Sequence, residues 1–202
     1  MPAVTTKFTN DDQLDLESFG KNVQAQVEAG VSGIILGGTL GEASTLSKEE
    51  KETLVTTTLD LVGDKVPVVI NVAEQTTKDA IAVTQRAEEL GADGIMLLPP
   101  MRYKATDRET VVFYKEIAKS TSLPIMVYNN PVDYKIEITG DMFEELLKLD
   151  NIQAVKESTR YITNVTLLKN RFGDRLKILT GVDTIAFESL TAGADGWVAG
   201  LV

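Results

Sequence analysis

The chain has no histidine and no cysteine among its 202 residues. Without cysteine it can form no disulfide, no thiolate nucleophile and no cysteine-ligated zinc or iron–sulfur centre. Without histidine it can form no Ser-His-Asp triad and no HExxH zinc site, and it lacks the side chain that most often changes charge near neutral pH. If the protein carries out covalent chemistry, lysine is the leading nucleophile that remains.

Basic residues and long hydrophobic runs are also scarce. The chain has 20 Lys and Arg against 30 Asp and Glu, a net charge of −10, which argues against binding to a phosphate backbone because that requires basic stripes. No apolar run reaches membrane-spanning length, and the N-terminus has no signal-peptide pattern. We therefore expect a cytoplasmic protein with no nucleic-acid and no membrane partner. A hydrophobic content of 43% is enough for one substantial core.

Short apolar runs alternate with helical patterns along the whole chain. The apolar runs are continuous, which is typical of strands buried on both faces, as in parallel sheets. Strands are predicted at 3–6, 34–36, 66–70, 95–97, 123–128, 152–156, 176–179 and 196–198. Helices are predicted near 13–29, 48–62, 76–90, 107–119, 139–149, 161–171 and 183–192.

Eight strands alternating with seven helices favour an α/β fold of the TIM, or (β/α)8, barrel type. An open doubly wound sheet is the alternative, because periodicity does not show whether a sheet closes. The sequence stops directly after the eighth predicted strand, whereas a barrel of this type continues into an eighth helix. We therefore expect one domain over 1–202, truncated after strand 8 and incomplete at its C-terminus.

Lys156 is the most informative residue, because it closes the apolar strand 152–156. An ammonium group at the end of a buried strand is costly unless it is paired or deprotonated. A lysine desolvated in this way loses its proton more easily and can attack a carbonyl to form a Schiff base. The alternative is an ion-paired lysine, or one whose ammonium reaches solvent at a barrel rim.

Other candidate residues also follow predicted strands, where barrels of this kind place their active sites. The glycine-rich turn at Gly38 and Thr39 suits a carboxylate or phosphate, since glycines let amide groups approach an anion; it also fits a simple tight turn. Tyr128 can act as a proton relay or be an ordinary half-buried tyrosine. Arg102 can bind a carboxylate or be a solvated rim residue. Together with Lys156 these residues suggest Schiff-base lyase chemistry on a 2-oxo acid.

At this point the sequence resembles the dihydrodipicolinate synthase / N-acetylneuraminate lyase family of class I, Schiff-base-forming aldolases. The resemblance covers nearly the whole chain. The segments that carry it, in family order and spacing, are GTLGE at 38–42, YNNP at 128–131, VKES at 155–158 and GWVAG at 196–200.

The resemblance implies a role for several residues. Lys156 would form the imine and Tyr128 would be the acid/base residue. Thr39 and the amide of Leu40 would hold the carboxylate of a pyruvate-type substrate, and Gly181 and Val198 would lend backbone groups to the pocket wall. The resemblance also implies no metal and no organic cofactor beyond the imine. It implies a homotetramer, although the absent eighth helix and C-terminal helical extension argue against assembly of this chain.

Three features depart from typical dihydrodipicolinate synthases. Their tyrosine pair after strand four appears here as Met101 and Arg102. Leu40 stands where those enzymes have a second hydroxyl residue, and Asp133 stands where they have an arginine for the carboxylate of the aldehyde substrate. We therefore expect a lyase of the family that is not a typical dihydrodipicolinate synthase. It would cleave, condense, dehydrate or deaminate a sugar-acid-like or hydroxyproline-derived 2-oxo acid.

Three alternatives stay open. One is a dihydrodipicolinate synthase proper. Another is a non-catalytic barrel that binds a small carboxylate as a sensor or regulator. The third is a fragment with an open seam where the eighth helix would lie, inactive alone and prone to association through exposed apolar surface.

Overall fold

A computed structural model describes residues 1–100 and 103–200. Its centre is one parallel sheet of seven strands, ordered β1 to β7 as they follow along the chain. The strands are β1 Ile34–Leu36, β2 Val68–Val72, β3 Gly94–Leu97, β4 Ile125–Asn129, β5 Ile152–Glu157, β6 Lys177–Thr180 and β7 Gly196–Trp197. Across the described residues the order never reverses, so the sheet differs from a doubly wound one. The fold is a parallel, TIM-barrel-like α/β structure.

Helices connect successive strands. The α-helices are α1 Leu16–Glu28, α2 Lys48–Val62, α3 Thr77–Glu89, α4 Asp107–Ala118, α5 Pro131–Tyr134, α6 Gly140–Leu146, α7 Ile162–Phe172 and α8 Ala186–Thr191. Short 3-10 turns lie at Thr39–Gly41, Gly63–Lys65, Gly173–Arg175 and Asp183–Ile185. All seven predicted helices are observed, the last as a 3-10 turn followed by α8. The short helix α5 was not predicted.

Two helix starts are fixed by their own sequence. At the start of α2 the Ser47 side chain accepts a hydrogen bond from the Glu50 amide, and the Glu50 carboxylate accepts one from the Ser47 amide. Thr106 and Glu109 make the same reciprocal pair at α4. Each pair satisfies amides that the first helical turn leaves free. The positions of these two starts could therefore be predicted from spacing alone.

The N-terminal segment lies between the two edges of the sheet. The Ala3 amide donates to the Ala199 carbonyl over 2.9 Å, and the Val4 amide donates to the Ile35 carbonyl over 3.0 Å. The predicted first strand at 3–6 is therefore corrected: the segment makes isolated parallel bridges, Pro2 with Ala199 and Ala3 with Ile35, rather than a regular strand. Each neighbour pairs with it over too short a length to form a ladder. Even so, these bonds connect β1 to the chain that follows β7.

Side chains alternate between two apolar layers. In β4, Val127 belongs to the large core between strands and helices, whereas Met126 and Tyr128 belong to a smaller cluster that also contains Ala3, Ile35, Val69, Met96, Leu98 and Val198. Because neighbouring residues of a strand point to opposite faces, Tyr128 projects away from the helices. In β5, Val155 packs in the helix-facing core, so the next residue, Lys156, projects to the same inner side as Tyr128.

None of the helices in the described residues combines the length and the apolar character that a bilayer span requires.

Candidate active site

Lys156 and Tyr128 are direct neighbours across the sheet. The register of β4 and β5 pairs the two residues, and the Lys156 Nζ lies 4.1 Å from the centroid of the Tyr128 ring. Each residue is 9% exposed. The sheet therefore holds an amine against the face of a phenol ring on its inner side.

Burial changes the acidity of this amine. It lowers the pKa of Lys156 from 10.5 to about 8, because the charged form loses its hydration, while the negative charge of Asp183 acts in the opposite direction. The Asp183 carboxylate is fixed in place, since its Oδ1 accepts hydrogen bonds of 3.0 Å from Trp197 Nε1 and from the Gly200 amide. Sequence reasoning missed Asp183, whose position only the folded chain reveals.

Gly181 allows the lysine stem to lie where it does. A Cβ atom at this position would come within 2.6 Å of Lys156 Cε and would collide with the Ser158 hydroxyl. The Gly181 amide donates to the Glu157 carbonyl over 2.8 Å, which fixes the turn after β6 against the end of β5. Any larger residue would therefore displace the amine or the strand end that carries it.

Glu157, next to the lysine, ties the end of β5 to its surroundings. It is 4% exposed, and its carboxylate accepts hydrogen bonds from Asn129 Nδ2, the Thr159 amide and Asn164 Nδ2 at 2.8–3.1 Å. Burial raises the pKa of Glu157, and these bonds oppose that effect. The network fixes the backbone on which Lys156 stands.

The Tyr128 hydroxyl accepts a hydrogen bond of 3.2 Å from Asn130 Nδ2. Burial raises the pKa of Tyr128, and the bond from Asn130 partly offsets this. The phenol therefore keeps its proton at neutral pH. The Tyr128 oxygen accepts the bond from Asn130 through a lone pair, so the Tyr128 O–H can still donate.

The glycine-rich turn after β1 has the predicted shape. Gly37 has a φ of +64°, a conformation that favours glycine, and the chain then forms the 3-10 turn Thr39–Gly41. The first amides of such a turn, those of Thr39 and Leu40, have no partner inside it. A Cβ at Gly38 would meet nothing within 4 Å, so the surface in front of the turn is open.

Val198, which is expected in the pocket wall with Gly181, and Leu40, whose amide is expected to hold the carboxylate, lie nearby. Val198 is buried in the inner cluster with Tyr128. The side chain of Leu40 is 49% exposed and reaches towards Gly200, where its Cδ1 would lie 3.0 Å from an added Cβ. The Leu40 side chain therefore lies over Gly200, whose amide donates to Asp183.

Tyr134 is the principal residue that sequence reasoning missed. Its hydroxyl lies 3.2 Å from Thr39 Oγ1, and its ring packs edge to face on Tyr128 with centroids 5.5 Å apart. The signal was present in the sequence: an N-cap residue, Asn130, is followed by proline at the first helical position. That pattern predicts a short helix, which brings Tyr134 back over Tyr128.

Arg102, the expected carboxylate-binding residue, lies outside the described residues. Asp133, which the resemblance aligns with an arginine of typical dihydrodipicolinate synthases, accepts a hydrogen bond of 2.7 Å from Asn130 Nδ2. Its charge lies close enough to Tyr128 to contribute to the raised pKa of that phenol.

A profile of the Dihydrodipicolinate synthetase family matches residues 1–201. The chain is 34% identical over 199 residues to a 4-hydroxy-tetrahydrodipicolinate synthase of Syntrophobacter fumaroxidans, covering 98% of this chain and 68% of the relative. It is also 34% identical to the enzyme of the same name from Thermotoga neapolitana, with the same coverage.

Solved structures agree with these matches. A 4-hydroxy-tetrahydrodipicolinate synthase from Methylacidiphilum fumariolicum SolV superposes with a TM-score of 0.95 at 31% identity, over 98% of this chain and 66% of that one. A Ruminococcus gnavus sialic acid aldolase, a catalytic lysine mutant, superposes with a TM-score of 0.92 at 23% identity, a likeness of fold alone. The chain spans about two thirds of the length of these relatives. The predicted family is confirmed: this chain belongs to the dihydrodipicolinate synthetase family.

Proposed function

We propose that this protein acts on pyruvate-type 2-oxo acids as a class I lyase, through an imine with Lys156. The observation that carries the proposal is a buried amine with a lowered pKa, held against a phenol ring on the inner side of a parallel sheet. At pH 7 a pKa of about 8 leaves roughly one amine in ten uncharged. That fraction is about 300-fold larger than for an ordinary lysine.

The proposed binding mode places the substrate carboxylate at the turn after β1. The amides of Thr39 and Leu40 and the Thr39 hydroxyl would donate to its oxygens. Gly38 leaves room in front of the turn, and the backbone at Gly181 and Val198 would line the wall. In this pose the carbonyl carbon faces Lys156.

The reaction begins when the neutral amine attacks C2 of the 2-oxo acid. The new C–N bond gives a carbinolamine, and its hydroxyl leaves as water after taking one proton, for which Tyr128 is the proposed donor. The product is an iminium ion, which draws electrons from C3. Loss of a C3 proton then gives an enamine, as does breakage of the C3–C4 bond when the C4 hydroxyl gives up its proton and that fragment leaves as an aldehyde. The enamine takes up a proton or the second substrate at C3, which restores an iminium ion, and water hydrolyses this ion to the product and the free amine. The imine itself is the electron sink, so the proposal requires no metal or organic cofactor.

The test is reduction of the imine with borohydride in the presence of pyruvate, followed by peptide mass analysis. We expect the reduced adduct on Lys156, and none in Lys156→Ala. Lys177→Ala is the matched control: Lys177 begins β6, where 49% of its side chain is exposed. An adduct on another lysine, or none on the folded wild type, would refute the proposal. In that case a non-catalytic carboxylate-binding barrel predicts that pyruvate stabilises the fold equally in Lys156→Ala.

Dihydrodipicolinate synthase proper is the second candidate, because relatives at 34% identity carry the name 4-hydroxy-tetrahydrodipicolinate synthase. Its aldehyde substrate carries a carboxylate, which the negative charge of Asp133 beside Tyr128 would disfavour. We therefore favour a sugar-acid-like or hydroxyproline-derived 2-oxo acid. Two assays separate the candidates. One measures the condensation of pyruvate with aspartate semialdehyde. The other measures release of pyruvate or a semialdehyde from 2-oxo-3-deoxy sugar acids and hydroxyproline-derived imines.

A further inference from the structure

Asn130, which directly follows β4, connects the Tyr128 phenol to the first turn of α5. The residue is buried, with 5% of its surface exposed. Its Nδ2 donates one hydrogen bond of 3.2 Å to the Tyr128 hydroxyl oxygen and another of 2.7 Å to the Asp133 carboxylate. Both N–H bonds of the amide are therefore in use, one at the proposed acid and one at a carboxylate.

The neighbours of the Asn130 amide permit one orientation of it. Asn130 is the N-cap of α5, and its Oδ1 accepts a hydrogen bond of 3.3 Å from the Asp133 amide. Turning the side-chain amide over would withdraw this acceptor from the first helical turn. It would also point Oδ1 at the Asp133 carboxylate, and two acceptors cannot bond to each other. Asp133 therefore fixes Asn130 as a donor towards Tyr128.

This orientation sets the direction of the Tyr128 proton. Because Nδ2 can only donate, the phenol oxygen accepts from it and the O–H bond has to point elsewhere. Burial raises the pKa of Tyr128, and the nearby hydroxyls of Ser158 and Tyr134 oppose that effect. Each of these hydroxyls can donate or accept, so neither imposes a direction. With the Lys156 amine against the same ring, the O–H remains available to an oxygen atom that is attached where the amine reacts.

We propose that Asn130 and Asp133 are positioning residues that hold Tyr128 as the proton donor in imine formation. This inference rests on the proposed imine chemistry. When the carbinolamine loses its hydroxyl, the nitrogen lone pair forms the C=N bond and the C–O bond breaks. The oxygen leaves as water with the Tyr128 proton. The Asn130 N–H already points at the phenol oxygen and stabilises the negative charge left there, until the phenolate recovers a proton from solvent.

The test is the rate at which the reducible imine forms, measured by mixing each variant with pyruvate and adding borohydride at successive times. Asn130→Ser keeps an N-cap residue for α5 but removes the amide donor. We expect imine formation to slow on the order of 10- to 100-fold, because a hydrogen bond to a charged oxygen is lost. The yield at equilibrium should be unchanged, since a proton donor alters the rate and not the equilibrium.

Asp133→Asn keeps the shape of the side chain and removes the charge that fixes the Asn130 amide. We expect a smaller slowing, roughly 5-fold, because a neutral hydrogen bond orients the amide less firmly. Asp107→Asn is the matched control: Asp107 is likewise an exposed acid in the first turn of a helix, α4, and this variant should form the imine at the wild-type rate. A rate for Asp133→Asn at or above that of the wild type would overturn the role of Asp133, whose charge would then act on Tyr128 only by repelling the phenolate.

Double variants separate positioning from support of the fold. In a Tyr128→Phe background, Asn130→Ser should cause no further slowing, because Asn130 acts through the phenol oxygen. In an Asn130→Ser background, Asp133→Asn should likewise cause no further slowing. Effects that multiply in both backgrounds would overturn the proposal, since the two residues would then only support the shape of the segment around α5.

The failures of the two proposals are distinguishable. If wild-type protein traps no pyruvate, the imine chemistry is refuted and the positioning role with it. If wild type traps pyruvate but Asn130→Ser forms the imine at the wild-type rate, the positioning role alone is overturned. Slower formation together with a reduced yield at equilibrium also overturns it, because the variant would then have damaged the binding of pyruvate itself.

Discussion

Replacing Lys156 with methionine should make the protein more stable near neutral pH. The unfolded chain binds the lysine proton more tightly than the folded chain, because burial lowers the folded pKa from 10.5 to about 8. Keeping the amine charged inside the fold therefore lowers the free energy of unfolding at any pH below 8. The cost declines as the pH rises from 8 and is gone above 10.5. Methionine has a similar length and no charge, so it removes this term.

The magnitude follows from the difference between the two pKa values. At 1.36 kcal/mol per pKa unit, the cost at pH 7 is about 3 kcal/mol. At pH 10 it has fallen to less than about 1 kcal/mol, so the stability difference between Lys156→Met and wild type should shrink by roughly 2 to 3 kcal/mol between these pH values. Lys156 is 9% exposed, so solvent screening reduces the effect little.

Urea unfolding of both proteins at pH 7, 8, 9 and 10 measures this difference directly. Lys169→Met is the control with the opposite sign, because its hydrogen-bonded ion pair with Asp195 raises the pKa of the half-buried Lys169. Lys169 therefore stabilises the fold, and its contribution is lost only as the pH rises above 10.5, so the stability lost in Lys169→Met should stay nearly constant from pH 7 to pH 10. A stability difference for Lys156→Met that stays constant from pH 7 to pH 10 would show that the amine is not desolvated. The proposed nucleophile would lose its physical basis.

Two further predictions concern the surroundings of the amine. Gly181→Ala should abolish pyruvate trapping in a protein that still folds, since the added Cβ would lie 2.6 Å from Lys156 Cε. Gly196→Ala is the control and should trap normally, because its added atom comes no closer than 3.5 Å to Leu179. Undiminished trapping in both variants would contradict the steric argument. Asp183→Asn should shift the pH midpoint of borohydride trapping to lower pH, because Asp183 raises the pKa of Lys156, and an unchanged or higher midpoint would show that this charge does not act on the amine.

The fold could be predicted from local signals because strands and helices here differ clearly in period. Continuous apolar runs such as 34–36 became buried strands, and the capping boxes at Ser47 and Thr106 marked helix starts. The N-terminal segment is the exception. Its residues have strand-like character, but whether they form a regular strand depends on how far both neighbours extend beside them. That is a tertiary property which no local pattern contains.

The candidate site could be predicted in part, because several of its residues lie at the ends of predicted strands. Thr39, Tyr128 and Lys156 directly follow or end apolar strands, and the ends of parallel strands meet at one edge. Tyr134 and Asp183 do not end strands; they reach the site through a four-residue helix and a 3-10 turn. Short turns of this kind are placed by capping and by contacts across the sheet, so their side chains escape an argument based on strand ends.

The surroundings of Lys156 would meet two opposing requirements of the proposed imine chemistry. A neutral amine is favoured by desolvation, but the iminium ion that follows carries a positive charge that no change of pH removes. A purely apolar enclosure would favour the neutral amine that attacks the carbonyl but would destabilise the charged iminium ion that forms. Asp183 is fixed by hydrogen bonds from Trp197 and the Gly200 amide. Its negative charge limits how far the pKa of Lys156 falls and would stabilise the iminium ion. The pKa of Lys156, about 8, therefore reflects both influences: desolvation, which lowers it, and the charge of Asp183, which raises it.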